Sequence, residues 1–384
     1  MRVGSTETLV IADWVICMTA EYQFSYHQSP ALTDIEQLWQ TLAAQSEQSF
    51  FLQWPWIGTW LKTFAPKQYY LVVARYAEQV VGLAILVEHV EWRYGVIRSK
   101  QLCLHRTGIA SSDEIWIEYN DFLLAKGHAS QLRSQMFRYI CDTLAFDELL
   151  FGASDAGLLA ELAQQTELTR TDVWFAKAYC VQFHDAPTQG FDSYLSANSR
   201  YQIKRSLKLY PGYQFEKASD SHQAMAWLQD IIELHQQRWS VSGFRQSSFS
   251  EFHQQLLNDG IACGQVELLK VTLDDTTRVY LYNFIWANKV YFYLSAIAEP
   301  STTNVSNNKA KPGLVAHYLA IEYYKSKGFL AYDFMGGDAR YKASFSNEIS
   351  ELYISKFQRN KLIFLLEQRL KNAKNKLRNS HDQT

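Results

Sequence analysis

The sequence predicts an α+β fold built twice over, each half a mixed β-sheet flanked by helices. Three observations predict it. The chain of 384 residues is 47% hydrophobic and only 20% charged, enough for packed cores in more than one domain of ordinary size. Helical periodicities and β-rich runs alternate instead of separating into blocks. The order helix, helix, strands, helix, strand recurs on both sides of a polar turn cluster at residues 184–190, without evident sequence identity between the halves, as in a structural duplication. The expected divisions are an N-terminal extension over 1–28, domains over 29–186 and 187–358, and a basic helix and tail over 359–384.

In the first half, Leu32, Ile35, Leu38, Trp39 and Leu42 recur at three- and four-residue spacing and predict a helix. A second helix is expected over 54–64, with Pro55 in the first turn, where a missing N–H costs nothing. Strands are expected over 69–75 and 80–90, joined by a short turn at Glu78-Gln79, and a further strand over 115–124. Helices over 130–144 and 155–165 enclose a short strand over 148–151, and a strand over 173–183 closes the half.

The second half begins with a helix over 191–209, stopped by Pro211-Gly212, followed by helices over 221–239 and 250–258. Strands over 265–272, 278–286 and 290–298 follow, and Tyr291-Phe292-Tyr293-Leu294 is apolar on both faces, hence central in its sheet. A polar loop over 299–311 leads to a helix over 312–327 with Gly328 as its C-terminal cap. A strand over 330–334, the glycine pair Gly336-Gly337, a strand over 351–357 and a basic amphipathic helix complete the chain.

Composition excludes several function classes. A net charge of −2 argues against bulk attraction to nucleic acid, so DNA is not an expected partner and tRNA is disfavoured. The five cysteines are widely spaced without a CxxC pair, and the ten histidines form no HExxH, so neither a disulfide scaffold nor a metal site is expected. The apolar run over 9–18 is broken by Asp13 and is shorter than a membrane span, and the chain reads as cytoplasmic. The C-terminal helix, with Leu362, Leu365, Leu366 and Leu370 set among Arg369, Lys371 and Lys374, reads as packing along its first part, with peripheral contact to an anionic membrane surface as the other reading.

Four segments carry candidate chemistry. The helix start Lys311-Pro312-Gly313-Leu314 aims free N–H groups and a partial positive charge at the loop before it, and Lys309 and Lys311 add charge, a setting for phosphate or pyrophosphate. An ordinary helix start in a solvated loop has the same pattern. Asp333 ends a strand, the glycine pair turns the chain, and Asp338, Tyr341 and Lys342 follow at near-helical spacing: a carboxylate, a phenol and an amine fit to bind a polar substrate or move a proton. The alternative is a glycine turn with solvated charges. His235, Arg238 and Trp239 end a helix, where a satisfied core histidine and a structural ion pair are the competing reading. Arg200, Lys204 and Lys208 share a helix face that suits an anion or plain solvation.

Together, His235, Arg238-Trp239, the tyrosine-rich strand, Lys311-Pro312-Gly313-Leu314 and Asp333-Phe334…Gly337-Asp338…Tyr341-Lys342 resemble the C-terminal half of tandem GNAT-fold N-acyltransferases of the CelD-like branch, relatives of the FemAB-type aminoacyl transferases. Phe51-Leu52-Gln53-Trp54-Pro55-Trp56 and Val81-Gly82-Leu83-Ala84-Ile85-Leu86 resemble that family's N-terminal domain, and the resemblance spans about residues 30–360. It implies two tandem GNAT-type domains, the first degenerate, with acetyl-CoA or a longer acyl-CoA as donor and a small-molecule, saccharide, cell-envelope or metabolite amine as acceptor. It further implies pantetheine beside the strand over 290–298, with Tyr293, and pyrophosphate at Lys309 and Lys311 to Val315, including Gly313 and Leu314. Asp338 or His235 would be the base and Tyr341 the acid, while Arg238, Trp239 and Lys342 would hold substrate. The superfamily's pyrophosphate loop reads Q/RxxGxG/A, whereas this chain has Lys311-Pro312-Gly313 there. An aminoacyl-tRNA-dependent transferase and a catalytically degenerate scaffold are the two other readings of the same resemblance.

Overall fold

The computed structural model describes residues 22–183, 195–209, 211–298 and 310–364, together with Glu367 and Arg369. The turn cluster at 184–190, Lys309 with the loop before it, and most of the C-terminal helix lie outside the described residues.

The first half runs β1 (Gln23–Gln28), α1 (Leu32–Ala43), α2 (Trp54–Phe64), β2 (Tyr69–Tyr76), β3 (Gln79–Arg93), β4 (Ile97–Leu104), β5 (Leu123–Leu124), α3 (Ala129–Thr143), β6 (Glu148–Asp155), α4 (Ala156–Ala163) and β7 (Thr169–Gln182). The second runs α5 (Ala197–Leu209), β8 (Tyr213–Lys217), α6 (Ser221–Arg238), α7 (Ser247–Ala262), β9 (Val266–Leu273), β10 (Thr276–Trp286), β11 (Lys289–Ile297), α8 (Pro312–Ser326), β12 (Ala331–Gly336), α9 (Arg340–Phe345) and β13 (Glu348–Gln358). The thirteen strands form one mixed sheet in the order β1-β2-β3-β4-β6-β13-β7-β12-β11-β10-β9-β8, with β5 on β3.

This order contains an exchange. The last strand of the chain, β13, lies in the middle of the sheet, antiparallel to β6 of the first half (Gln358↔Glu148) and to β7 (Gln358↔Thr169). In turn β7, the last strand of the first half, pairs with β12 of the second (Asp333↔Cys180). Each half therefore completes its sheet with the closing strand of the other. Arg359, just after β13, fixes the exchange by donating from Nε to the Phe146 carbonyl at 3.0 Å and stacking over the Phe146 ring.

One core cluster joins α1, α2, α3, α6 and α7 to the sheet, with Trp39, Trp56, Trp60 and Phe252 at its centre. A second packs α5, α8 and α9 against β10, β11 and β12. The two indoles Trp56 and Trp60 and the rings of Phe50 and Phe51 are fully buried, which explains the aromatic richness of the sequence. Among the described residues no helix is long and apolar enough to cross a membrane, and Cys103, Cys141, Cys180 and Cys263 are free thiols.

Several expectations are corrected. The strand expected over 115–124 is instead a short 3-10 turn, Ser112–Ile115, an irregular stretch with one isolated bridge at Glu118, and the two residues of β5. Positive φ at Trp116 (58°) and Tyr119 (51°) is incompatible with a strand. β1 falls within the segment read as an extension and pairs along β2. β4 went unread because its inward-facing residues Ser99 and Gln101 are polar: they are buried to hydrogen-bond the Glu148 carboxylate at 2.7 and 2.8 Å. β8 is a short edge strand with mostly exposed residues, and it carries no apolar alternation to read.

Candidate active site

The site forms where β11 and β12 part. They run parallel for three residue pairs, from Lys289↔Ala331 to Tyr291↔Asp333, and then separate. Both strands are irregular there. β10 opposes β11 with a register shift that leaves Tyr293 as the extra residue of a bulge (Tyr282↔Leu294, then Asn283↔Phe292). β12 bulges between Asp333 and Met335, with Met335 at φ 60°. The N-terminus of α8 stands at the far end of β11: a Cβ on Gly313 would come 3.2 Å from Ile297 Cδ1, so glycine lets helix and strand meet. Lys311 is the N-cap, in left-handed conformation. The Val315 N–H is spent on the Lys311 carbonyl (3.1 Å) and Pro312 has none, so among the described residues the helix start offers the amides of Gly313 and Leu314.

The floor of the parting is a charge cluster. Asp333 is buried and receives the Lys289 ammonium at 2.7 Å, the Tyr119 hydroxyl at 2.8 Å and the Met335 N–H at 2.7 Å. Beside it, the buried Glu118 carboxylate accepts from Gly336 N–H at 2.8 Å and from Trp116 Nε1 at 3.0 Å. A Cβ at position 336 would lie 3.2 Å from a Glu118 oxygen, so a side chain there would press on this carboxylate and glycine eases the close approach. Burial raises the Glu118 carboxyl to about 7, because loss of water outweighs the Gly336 hydrogen bond and the nearby Lys342 ammonium. Lys342 donates to the Gly336 carbonyl at 2.6 Å. Burial lowers its pKa, against the pull of Glu118 and Asp333.

On the opposite side of β12, Tyr341 stacks on the buried His317 ring at 5.0 Å and meets Phe334 edge-on. Burial pushes the Tyr341 phenol up to about 12 and holds His317 neutral, at about 3. No hydrogen bond of the Tyr341 hydroxyl occurs among the described residues. On β11, the Tyr293 hydroxyl donates to the Ile115 carbonyl at 2.8 Å and lies 3.2 Å from His253 Nε2. The carbonyl can only accept, so Tyr293 accepts from His253, whose Nδ1 is left without a partner.

Of the residues singled out in the sequence, Lys342 meets Asp333 at this cluster, Tyr341 lies across β12 against His317, and Gly313, Leu314 and Val315 start the helix at the end of β11. Asp338 is exposed on the turn between β12 and α9. His235 bonds Ser242 Oγ through Nδ1 at 2.8 Å and meets Phe244 edge-on, while Arg238 stacks over the exposed Trp239. No described contact ties these three to Tyr341 or Lys342. Sequence reasoning missed Glu118, Tyr119, Lys289 and His317. Glu118 and Tyr119 come from the first half, 218 and 214 residues from their partners, and no local pattern marks them.

Residues 195–343 match the family model described as acetyltransferase (GNAT) domain. The crystal structure of FemX is similar over 88% of this chain and 99% of its own, at 11% identity and a TM-score of 0.57. L-PGS from Bacillus licheniformis is similar over 87% of this chain and 95% of its own, at 10% identity and a TM-score of 0.51. The C-terminal domain of a putative lysylphosphatidylglycerol synthetase from Agrobacterium fabrum matches over 86% and 93%, at 10% identity and a TM-score of 0.51. At such identities the likeness is one of fold. No curated protein sequence matches the chain. The matched region spans the open parting of β11 and β12 and its flanking helices, so residues 195–343 are a GNAT acetyltransferase domain, set in a chain whose fold is similar to that of FemX.

Proposed function

We propose that the protein moves an acyl group from an acyl-CoA thioester to the amine of a sugar, cell-envelope or metabolite acceptor, by direct transfer where β11 and β12 part. The observation that carries this reading is the buried Glu118 carboxyl, held near neutrality beside the parted strand ends. A base of that pKa is suited to accept a proton at neutral pH. In the proposed step the amine nitrogen attacks the thioester carbonyl, and a C–N bond forms as the C–S bond breaks. Glu118 takes the amine proton, directly or through one water. Tyr341, which keeps its proton at neutral pH, gives it to the departing thiolate. Backbone groups released at the Tyr293 bulge face the developing oxyanion. The Gly313 and Leu314 amides, with Lys311, take the donor's pyrophosphate. Asp338, exposed on its turn, and His235, bonded to Ser242, are less favoured as bases.

A second reading keeps the chemistry and changes the donor to an aminoacyl-tRNA ester. It is supported by the position of α5, which bears Arg200, Lys204 and Lys208: its Ser206 hydroxyl bonds the Ala310 carbonyl, next to the α8 N-cap, so a basic helix borders the mouth. Calorimetric titration with acetyl-CoA, a long-chain acyl-CoA, free CoA and a charged tRNA separates the two. Saturable CoA binding, weakened about five- to thirty-fold by Lys311→Glu, is expected from the loss and reversal of one charge at a helix N-terminus. Binding of charged tRNA alone selects the second reading, and no binding by a folded protein leaves a scaffold.

A further inference from the structure

The segment that carries Glu118 is bent by two aromatic residues. Trp116 (φ 58°, ψ 70°) and Tyr119 (φ 51°) both adopt the left-handed backbone conformation that glycine or asparagine takes at less cost. In a bulky residue such a conformation persists only where the surroundings fix it. Here the 3-10 turn Ser112–Ile115 does so. The Asp113 carboxylate accepts from the backbone N–H of Thr107 at 2.8 Å and of Gly108 at 3.0 Å, and the Asp113 carbonyl accepts from the Trp116 N–H at 3.2 Å. The two side chains then reach the two carboxylates of the site, one each: Tyr119 to Asp333 and Trp116 to Glu118.

The carboxylates are held differently. Asp333 has an ammonium, a hydroxyl and a backbone N–H around it. Among the described residues Glu118 has two hydrogen bonds, one to each oxygen: Trp116 Nε1 to Oε1 at 3.0 Å and the Gly336 N–H to Oε2 at 2.8 Å. One donor belongs to the first half and the other to the second, so the carboxylate is fixed from both sides. Both are N–H groups that donate and cannot accept. A proton taken up by Glu118 therefore finds no partner in either of them. A hydroxyl in place of the indole could accept that proton and turn it inward. The other groups facing Glu118 are Lys342 on α9, Asp333 on β12, Tyr293 on β11 and Tyr119. Lys342 donates to the Gly336 carbonyl, Asp333 is paired with Lys289, and the two tyrosines donate to Asp333 and to the Ile115 carbonyl. The Trp116 ring is fixed in turn. It meets Trp174 of β7 edge-on, at 4.9 Å between centroids, and both indoles pack on a cluster that includes Leu352 and Ile354 of β13.

We propose that Trp116 is the positioning residue of the transfer site: its indole N–H fixes the Glu118 carboxylate and, as a donor only, leaves a captured proton no partner among the groups that hold it. The inference rests on the reading of Glu118 as the base. The competing role for Trp116 is packing alone, which its ring would perform with or without the N–H.

The test follows the Glu118 carboxyl itself by NMR, in the full chain labelled with carbon-13 at the glutamate side-chain carboxyls. Its signal is the one lost in Glu118→Gln. The parent should titrate at about 7. In Trp116→Phe and Trp116→Leu the midpoint should rise by about one unit, because a hydrogen bond to the charged form is lost. Trp174→Phe, which loosens the packing and keeps the N–H, should leave the midpoint in place. Cooperative thermal unfolding identifies the folded variants. In acetyl transfer from acetyl-CoA to glucosamine, the rising limb of the pH profile should move with the carboxyl, so activity lost at about pH 7 is largely regained at about pH 9. An unchanged midpoint in the folded Trp116 variants, or an equal shift in Trp174→Phe, overturns the proposal and makes Trp116 a packing residue. A shifted carboxyl with turnover that ignores pH overturns the base reading, and with it the part of Trp116 in transfer, so the two failures are told apart.

Discussion

The sheet parts twice. In the first half β4 and β6 run parallel for three pairs, Gln101↔Glu148 to Cys103↔Leu150, and separate as β11 and β12 do in the second. The first gap is filled by the chain itself. Glu118 bridges Ala153, and Asn120 donates from its backbone to the Ala153 carbonyl at 3.0 Å and from its side chain to the Leu104 carbonyl at 2.9 Å. His105 Nδ1–H donates to Asn120 Oδ1 at 2.9 Å, and Ser154 donates to the Asn120 carbonyl at 2.6 Å. The second gap has no such insert among the described residues. The same architectural defect is thus sealed in one half and, among the described residues, left open in the other. The sealing segment is also what carries Glu118 and Tyr119 across to Gly336 and Asp333, so closing one gap equips the second.

The sharpest way to break this comparison is Glu118→Gln. Removing the proposed base is expected to lower kcat/KM by about 10² to 10⁴. The parent's activity should rise with pH through about 7, and the variant should lose that limb. Stability has a matching signature. The folded carboxyl is raised above its ordinary 4.5, so its contribution is present below that value and is lost as pH rises to about 7. Glu118→Gln should therefore be more stable than the parent at pH 8, by on the order of 1–3 kcal/mol in urea unfolding. Equal pH profiles for parent and variant would remove Glu118 from the mechanism.

The sealed gap should respond in the opposite sense. Burial lowers the His105 imidazole to about 4, so its contribution is complete above 6.5 and is lost as pH falls toward 4. Up to about 3 kcal/mol should vanish over that window, and His105→Asn should flatten it. Asn120→Ala, which strips two side-chain bonds from the plug, should cost about 1–3 kcal/mol at pH 7 by the same measurement. A plug that merely fills space would show neither effect.

Much of the second half was legible because its signals are local. Pro312 and Gly328 bracket α8, and the apolar run at Tyr291 marks a central strand. The glycine pair Gly336-Gly337 likewise announced the end of β12. Glu118 was illegible for the converse reason. Residues 115–124 alternate like a strand, yet their side chains are committed to distant partners: Asp121 to Arg133, Asn120 to His105, Tyr119 to Asp333. Periodicity reports the near neighbours of a residue, whereas a plug is defined by what it crosses.

The exchange of β7 and β13 bears on how the chain is made. The first half has nearly all its residues once β7 has been synthesised, but β6, paired with β4 on one edge, meets the neighbour on its other edge only when residues up to Gln358 exist, 210 positions after Glu148. At 5–20 residues per second, roughly 10–40 s pass with that strand edge open. An unpaired edge invites a foreign strand, including the β13 of another copy. A nascent chain of this protein therefore keeps that edge of β6 unpaired until its last strand arrives. Cutting the gene between the halves would yield two fragments that each lack the strand they need, and co-expression of both would be the condition for either to be soluble.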